Sequence, residues 1–448
     1  MMHRSLRALL ATSLSLLAGA CGSTPSSPPI TREAALETFY SAWETVGETH
    51  FDPEFNGVDW EALREELEPR AAAATTRSEL RAVLGDMLAR LGQSHFVVIP
   101  EEAVPADQGT GDEVSEEDKE GDLGFEVRLR GDRVLVTHLR PGGPAERAGV
   151  RPGWSLVRLD GLETAPLIEA LGDKQGKLAR GVRTNAWSRV GSACLGPVGA
   201  ASSLEFLDLE DRPRALEIVR DERDAIAHVF GVLPTFYLQF SARTLEHAGQ
   251  RIGYVHFTNW FLPMVQPLHE ALEGMRGHDG VVIDLRGNTG GAAAMVMGVA
   301  GHFFDEQVLL GTQTLREGEM RYVALPRQVT AGGNLLETYR GPVAILIDET
   351  TGSASEVFAG GMQSTGRARV FGEDSAGAVL PATFTTLPNG DALLHAFGDF
   401  KTADGTLLEG PGVIPDQPVP MTREALRRGV DPQLEAALEW ISTRGGGA

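Results

Sequence analysis

The sequence predicts an α/β protein of several units: a helical N-terminal region, a small β-rich module and a larger core of alternating strands and helices. Three observations carry this. Apolar residues fall at helical spacing between Thr31 and about Leu91, so one face of each segment is apolar. Two strand-like runs, Phe125 to Leu129 and Val134 to Leu139, flank Gly131-Asp132, a hairpin signal. From about residue 250, short apolar runs (Arg251 to Phe257, Val281 to Leu285, Val343 to Ile347) each lead into Gly-rich or helix-like sequence, the texture of buried parallel strands with crossover helices. A length of 448 residues suits about two to four domains.

Taken in order, residues 1–20 lie outside the fold. Arg4 and Arg7 form a basic start and Ala8 to Leu17 a short apolar run. Ala18-Gly19-Ala20 then leads to Cys21. The run is too short to span a bilayer but suits a secretory signal. Small residues ending at a cysteine resemble a bacterial lipoprotein signal, which implies cleavage before Cys21, lipidation of its thiol and attachment to a membrane in the cell envelope. Residues 21–30, rich in Ser, Pro and Gly, read as a tether. The helical region covers 31–100. Leu36, Phe39, Tyr40, Trp43 and Val46 line its first apolar stripe. Thr76 with Glu79 forms a capping box ahead of Leu80, Val83, Leu84, Met87, Leu88 and Leu91, and Gly92 ends that helix. Residues 101–122 hold a dense acidic cluster and read as an exposed linker. The β-rich module is placed at 123–219 and the α/β core at 220–448.

Composition excludes several functions. Hydrophobic residues make up 42% and charged residues 23%, which is ordinary for a globular chain. The net charge of −22 repels phosphate backbones, so nucleic acid is a poor partner. Two cysteines cannot staple a scaffold and do not have metal-ligand spacing, and none of the eleven histidines forms HExxH. No metal and no organic cofactor are expected.

The chemically suggestive segments lie where ligands of parallel α/β sheets bind, beyond the carboxyl ends of the strands. The run Val281 to Leu285 passes into DLRGNTGG (284–291). ILIDETTGSASEVFAGG (345–361) reads as strand, loop and a helix opening at Ser353. A serine at a helix start is favoured as a nucleophile because backbone N–H groups and the helix dipole stabilise developing negative charge. Ser353 with Glu356 three residues later also reads as a plain N-capping box.

Together these segments strongly resemble the C-terminal processing (tail-specific) and tricorn-core serine peptidases, whose DxRxNxGG loop and Gly-Ser-Ala-Ser-Glu helix start they match. The resemblance implies a crotonase-like catalytic core with Ser353 as nucleophile. The backbone N–H groups of Ala354 and of Gly290 or Gly291 would form the oxyanion hole. Residues 140–161, RPGGPAERAGVRPGWSLVRLDG, resemble the PDZ stretch of bacterial proteases. Leu123-Gly124-Phe125 would then receive a peptide carboxylate. Trp154 stands where that family commonly has a polar residue.

One departure directs the choice of base. Tail-specific members carry a general-base lysine downstream of the serine. The matching stretch here is DSAGAVLP (374–381), with Ala378 at the lysine position. The lysines are 119, 174, 177 and 401, none at that spacing. The tricorn-like branch instead uses a Ser-His pair and a late Glu. Ser94 and His95 in LGQSH (91–95), the FDPEFNGVDW stretch (51–60) and Glu409 in EGPGVIPD (409–416) resemble that branch. The expectation is therefore a serine peptidase in which His95 takes the proton of Ser353 and Glu409, through Ser94, orients the imidazole. His256, at a strand end, is held as a substitute base. Substrates would be peptide tails or unfolded proteins. The rival readings are non-catalytic: a carrier on the same fold, as in the retinoid-binding modules, or a pseudopeptidase scaffold.

Overall fold

A computed structural model of the chain describes residues 27–103, 120–231, 233, 235–330 and 332–444. The signal sequence, Cys21, most of the tether and residues 104–119 of the acidic stretch lie outside the described residues.

Three helices, Arg32–Thr49, Trp60–Ala73 and Arg77–Ala89, open the chain, each with a side-chain cap: Thr31, Asp59 and Thr76. The Thr76–Glu79 capping box forms, with Thr76 Oγ1 accepting from Glu79 N at 3.2 Å and Glu79 accepting from Thr76 N at 3.3 Å. Their shared core (Phe39, Leu67, Leu80, Leu84, Leu88) takes in Leu387 and Leu393 from far along the chain. Strand Val97–Ile99 then pairs antiparallel with Ala392–Ala396, which pairs with Ala382–Thr386. The helical region is thus fastened to the core, with Ser94 and His95 at the junction.

Next comes a five-strand antiparallel run: Phe125–Arg130, Arg133–Leu139, Ser155–Leu159, Ala201–Leu207 and Pro213–Val219. Gly131-Asp132 makes the expected hairpin turn, with Gly131 at φ +58°. Trp154 packs edge-on against Phe206 at 5.8 Å inside the sheet's core. The end of the acidic stretch differs from the expected exposed linker. Glu120–Asp122 pairs with Asp221–Glu222 and Gly196–Pro197, because a strand edge was available to receive its backbone. The sequence reading also passed over a long helix here, Gly176–Cys194. Gly181, Gly191, Thr184 and Asn185 dilute its propensity, and packing against strand Phe125–Arg130 maintains it.

The core is a six-stranded sheet in the order 240–247, 250–257, 280–284, 343–347, 369–372, 417–418. It is parallel throughout except for the first, antiparallel pair. Strands Gly280–Asp284 and Val343–Ile347 are buried along their whole length, which is why they read as continuous apolar runs. Val281, Ile283, Ile345 and Ile347 face helix Ala354–Ser364. Val282, Ala344 and Leu346 face helix Pro432–Ser442 on the other side. No helix among the described residues is long and apolar enough to cross a membrane.

Candidate active site

Two loops leave the carboxyl ends of the central strands and are laced together. Thr351 Oγ1 donates to Leu285 O (2.9 Å), Gly287 N to Thr350 Oγ1 (2.8 Å) and Gly352 N to Asn288 O (3.1 Å). Asn288, fully buried, donates through Nδ2 to Phe257 O and accepts from Gly290 N at 3.0 Å. At the tip of the second loop Ser353 adopts φ 52°, ψ −119°. A non-glycine residue in that region costs of order 1–3 kcal/mol and persists only where its surroundings over-determine it. Such strained strand-to-helix turns present a serine hydroxyl outward.

Gly290 is fixed by that turn. A Cβ there would stand 2.6 Å from Ser353 Cβ and 2.8 Å from Gly352 O, at φ +104°. Its N–H is already committed to Asn288, which leaves the Gly291 N–H as the candidate donor to an oxyanion in this conformation, while Ala354 N at the helix start lies 3.1 Å from the position a Gly290 Cβ would take. Gly291 is held against the Trp260 backbone, and Trp260 Nε1 donates to Ser355 Oγ at 2.9 Å.

Glu356 does more than cap a helix. Its backbone N–H donates to the Ser353 carbonyl, and its buried carboxylate accepts from Ser353 N (3.0 Å), Ala378 N (3.0 Å), Gly377 N (2.7 Å) and Ser375 Oγ (2.6 Å). Burial pushes its pKa up to about 7 against the pull of those donors. Ala378, at the position matching the tail-specific lysine, accepts from Ser353 N through its carbonyl at 2.9 Å.

On the far side of that segment, Ser94, His95 and Glu409 form one bonded chain. Glu409 Oε1 accepts from Ser94 N (2.9 Å), Oε2 accepts from Ser94 Oγ (2.9 Å) and from Val379 N (3.1 Å), and Ser94 Oγ meets His95 Nδ1 at 2.7 Å. Proton counting fixes the tautomer. The single hydroxyl proton of Ser94 goes to the carboxylate, so Oγ accepts from Nδ1–H and Nε2 is left as a bare acceptor. Burial lowers the His95 pKa and the Glu409 charge opposes that shift, so the ring is neutral at pH 7. No hydrogen bond joins His95 to Ser353 in this unliganded state. Such contacts often tighten only with substrate bound.

The loop carrying the pair is buttressed by the FDPEFNGVDW stretch and the residue before it. Asn56 Nδ2 donates to Leu91 O at 2.7 Å, and buried His50 holds Gln93 Oε1 through Nε2 at 2.9 Å. Lys177, set aside in the sequence for its spacing, lies at the site: Nζ donates to Gly92 O (3.1 Å) and stands 3.7 Å from Glu409 Oε1. Its helix gave no sequence signal, because the contact depends on how two distant segments dock. His256 donates through Nε2 to Arg286 O (3.2 Å), which ties that nitrogen to the backbone, and Lys401 is exposed on a strand. Leu123 and Phe125 are buried. Between them Gly124 (φ +75°) passes so close to Pro144 that a Cβ would approach Cδ to 2.9 Å. Among the described residues no cluster of His, Cys, Asp and Glu could hold a metal ion.

Known proteins resemble this chain in sequence and in fold. Residues 251–419 match the family described as peptidase family S41, and residues 32–89 match the tricorn protease C1 domain. The chain is 26% identical over 455 residues to a carboxyl-terminal-processing protease of Synechocystis sp., covering 98% of this chain and 95% of that one. It is 27% identical to carboxyl-terminal-processing peptidase 2, chloroplastic, of Arabidopsis thaliana, covering 93% and 74%. Among solved structures the photosystem II D1 C-terminal processing protease superposes with a TM-score of 0.56 at 23% identity, covering 93% of this chain and 98% of that one. Mature CPAF complexed with lactacystin superposes with 0.58 at 12% identity, covering 92% and 98%. At such identities these two speak to the fold alone.

Proposed function

We propose that the chain, whose residues 251–419 match peptidase family S41 and whose relatives are named carboxyl-terminal-processing proteases, is a serine peptidase that hydrolyses peptide bonds through an acyl-enzyme on Ser353 with His95 as general base. Nε2 takes the hydroxyl proton as Oγ bonds to the substrate carbonyl carbon. The imidazolium then gives that proton to the departing amine, and water reverses the sequence to release the acyl group. Ser94 and Glu409 hold the Nδ1–H and balance the charge that appears on the ring. The N–H groups of Ala354 and Gly291 receive the oxyanion.

The observation that carries this reading is the Glu409–Ser94–His95 chain, which leaves Nε2 unprotonated across one short segment from a strained Ser353. A neutral imidazole of fixed tautomer is of no use to a carrier, so the non-catalytic readings are not favoured. In the same proposal the six-stranded core is crotonase-like and the 123–219 module PDZ-like. Leu123-Gly124-Phe125 grip the carboxylate end of a peptide tail or unfolded protein. Cys21 carries a lipid that holds the enzyme in the cell envelope. The relatives' printed names, carboxyl-terminal-processing, fit a tail-directed substrate. A fluorophosphonate probe tests the nucleophile: wild-type protein should be labelled at Ser353, Ser353→Ala not at all and His95→Ala far more slowly. Unchanged labelling of His95→Ala removes the histidine from the mechanism.

A further inference from the structure

Helix Gly176–Cys194 runs from the β-rich module to the relay and brings one cation to Glu409 and another to the residue after it. On its first turn Lys177 bridges Gly92 O (3.1 Å) and Glu409 Oε1 (3.7 Å). One turn later Arg180 donates to the carbonyl of Gly410 and pairs with Asp374 at 3.6 Å. One helix therefore grips both sides of the chain that ends at His95: the residue two before Ser94 and the residue after Glu409.

The need for such a grip follows from the charges. Glu409 and buried Glu356 repel each other, and both use the 375–379 segment as their donor strip. Each Glu409 oxygen carries a firm neutral donor, Ser94 N and Val379 N. Lys177 supplies the facing positive charge. The loop before His95 is itself held in unusual backbone geometry, with Gly92 at φ +65° and His95 at φ +60°.

We propose that Lys177 is a positioning residue for proton transfer. It holds the Gly92–Ser94 loop and the Glu409 carboxylate in the register that keeps His95 Nδ1 protonated and Nε2 bare. This rests on the reading of Ser353 and His95 as nucleophile and base. Peptidase activity then requires the module's helix, although the module contributes no acid, base or nucleophile. The Lys177 side chain is 37% exposed, and Asn56, His50 and Gln93 anchor the loop independently, so the fold should survive its loss.

The test uses the full chain with Lys177→Met and Lys177→Arg, each alone and combined with Glu409→Gln. Turnover of a fluorescein-labelled unfolded protein and fluorophosphonate labelling are measured beside Ser353→Ala and His95→Ala. Lys177→Met should lower kcat roughly 10-fold with KM held, and lower the labelling rate in parallel, as expected when orientation rather than binding is lost. Lys177→Arg should recover to within about threefold, since it retains the charge and donors to both acceptors. In the Glu409→Gln background the Met substitution should cost clearly less than it does alone, because part of its effect runs through the Glu409 contact. Raising salt to about 0.5 M should slow labelling of the wild type and leave Lys177→Met unchanged. Full kcat in Lys177→Met, an additive loss in the double variant, or a folded Lys177→Arg as inactive as Lys177→Met would each overturn the proposal. The last result would show that a positive charge and donors at this position do not set kcat. Turnover retained by Ser353→Ala or His95→Ala would reject the underlying assignment, whereas the lysine variants report on Lys177 alone.

Discussion

Replacing Glu409 by Gln removes one charge and almost no volume, and the geometry makes the consequence severe. The carboxylate accepts three hydrogen bonds and faces Lys177, with donors on both oxygens. A glutamine must aim its NH2 at one of these positions. Aimed at the Oε1 position, it opposes Ser94 N–H and the lysine, leaving a buried donor unpaired at a cost of about 1–3 kcal/mol. Aimed at the Oε2 position, it opposes Val379 N–H and donates to Ser94 Oγ. The hydroxyl then donates to His95 Nδ1, and the ring proton moves to Nε2, which is the wrong tautomer for a base. Loss of the balancing charge alone should cost about 10² in kcat, and a wrong tautomer about 10⁴ in the Ser-His-Asp template. Losing a residue that orients the imidazole should cost less than losing Ser353 or His95, and the bond pattern puts the loss at roughly 10²–10⁴. The Glu409 charge raises the His95 pKa, so the acid limb of kcat/KM should also move to lower pH in the variant. Steady-state turnover across pH, with circular dichroism as the folding control, measures both. A Glu409→Gln protein within about threefold of wild-type kcat, with its acid limb unmoved, would refute the relay.

Other outcomes follow from the same geometry. Burial lowers the His95 pKa, so wild-type kcat/KM should be flat through neutral pH and fall only below about 6.5; an acid limb above 7 points to another base. In one turnover assay His95→Ala should be nearly inactive and Lys401→Ala unaffected, because Lys401 lies exposed on strand Gly398–Thr402. Gly290→Ala puts a methyl 2.6 Å from Ser353 Cβ, and probe labelling of Ser353 should drop by roughly 100-fold or more in a protein that still folds. Arg130 pairs with Glu349 at 2.6 Å and with Glu373, so Arg130→Ala leaves buried Glu349 without its cation and should cost about 3–5 kcal/mol in denaturant unfolding. Intact mass should show a lipid on Cys21, and Cys21→Ser should release the protein from membranes; an unmodified Cys21 rejects the anchor.

Much of the fold was legible because its signals are local. Leu80, Val83, Leu84, Met87 and Leu88 repeat at helical spacing behind a capping box, and those residues are the buried face of helix Arg77–Ala89. Strand Val343–Ile347 was readable because a strand buried on both faces has no reason to alternate. Ser94, His95 and Glu409 were also accessible as a set, because LGQSH and EGPGVIPD resemble segments of the tricorn-like branch. What escaped the sequence was non-local. Helix Gly176–Cys194 is poor in strong helix formers, and its stability comes from packing that no window of residues reports. The Lys177–Glu409 contact exists only once that helix has docked. The Ser353–Glu356 pair was read as a capping box, but the same carboxylate also binds Ser375, Gly377 and Ala378, and those partners lie beyond helical spacing.

The absence of a lysine at 378 is then understandable as a redistribution of one task among several groups. The segment 375–379 gives Glu356 its hydroxyl and N–H donors, gives Glu409 the N–H of Val379, and takes the N–H of Ser353 on the carbonyl of Ala378. Every one of these bonds except that from Ser375 uses backbone, so the segment can carry any small side chain and still set the distance between nucleophile and relay. A lysine base there would have to lose its proton near neutral pH, which requires strong desolvation. Glu409 borders this segment, and Glu356, with its pKa pushed up to about 7, is partly charged there; both would favour the ammonium form instead. An imidazole suits that field better. Its ordinary pKa already lies close to neutral, burial lowers it further, and the adjacent carboxylate stabilises the cation only when catalysis creates it. The electrostatics of the loop, and not merely the missing side chain, therefore favour histidine as the base.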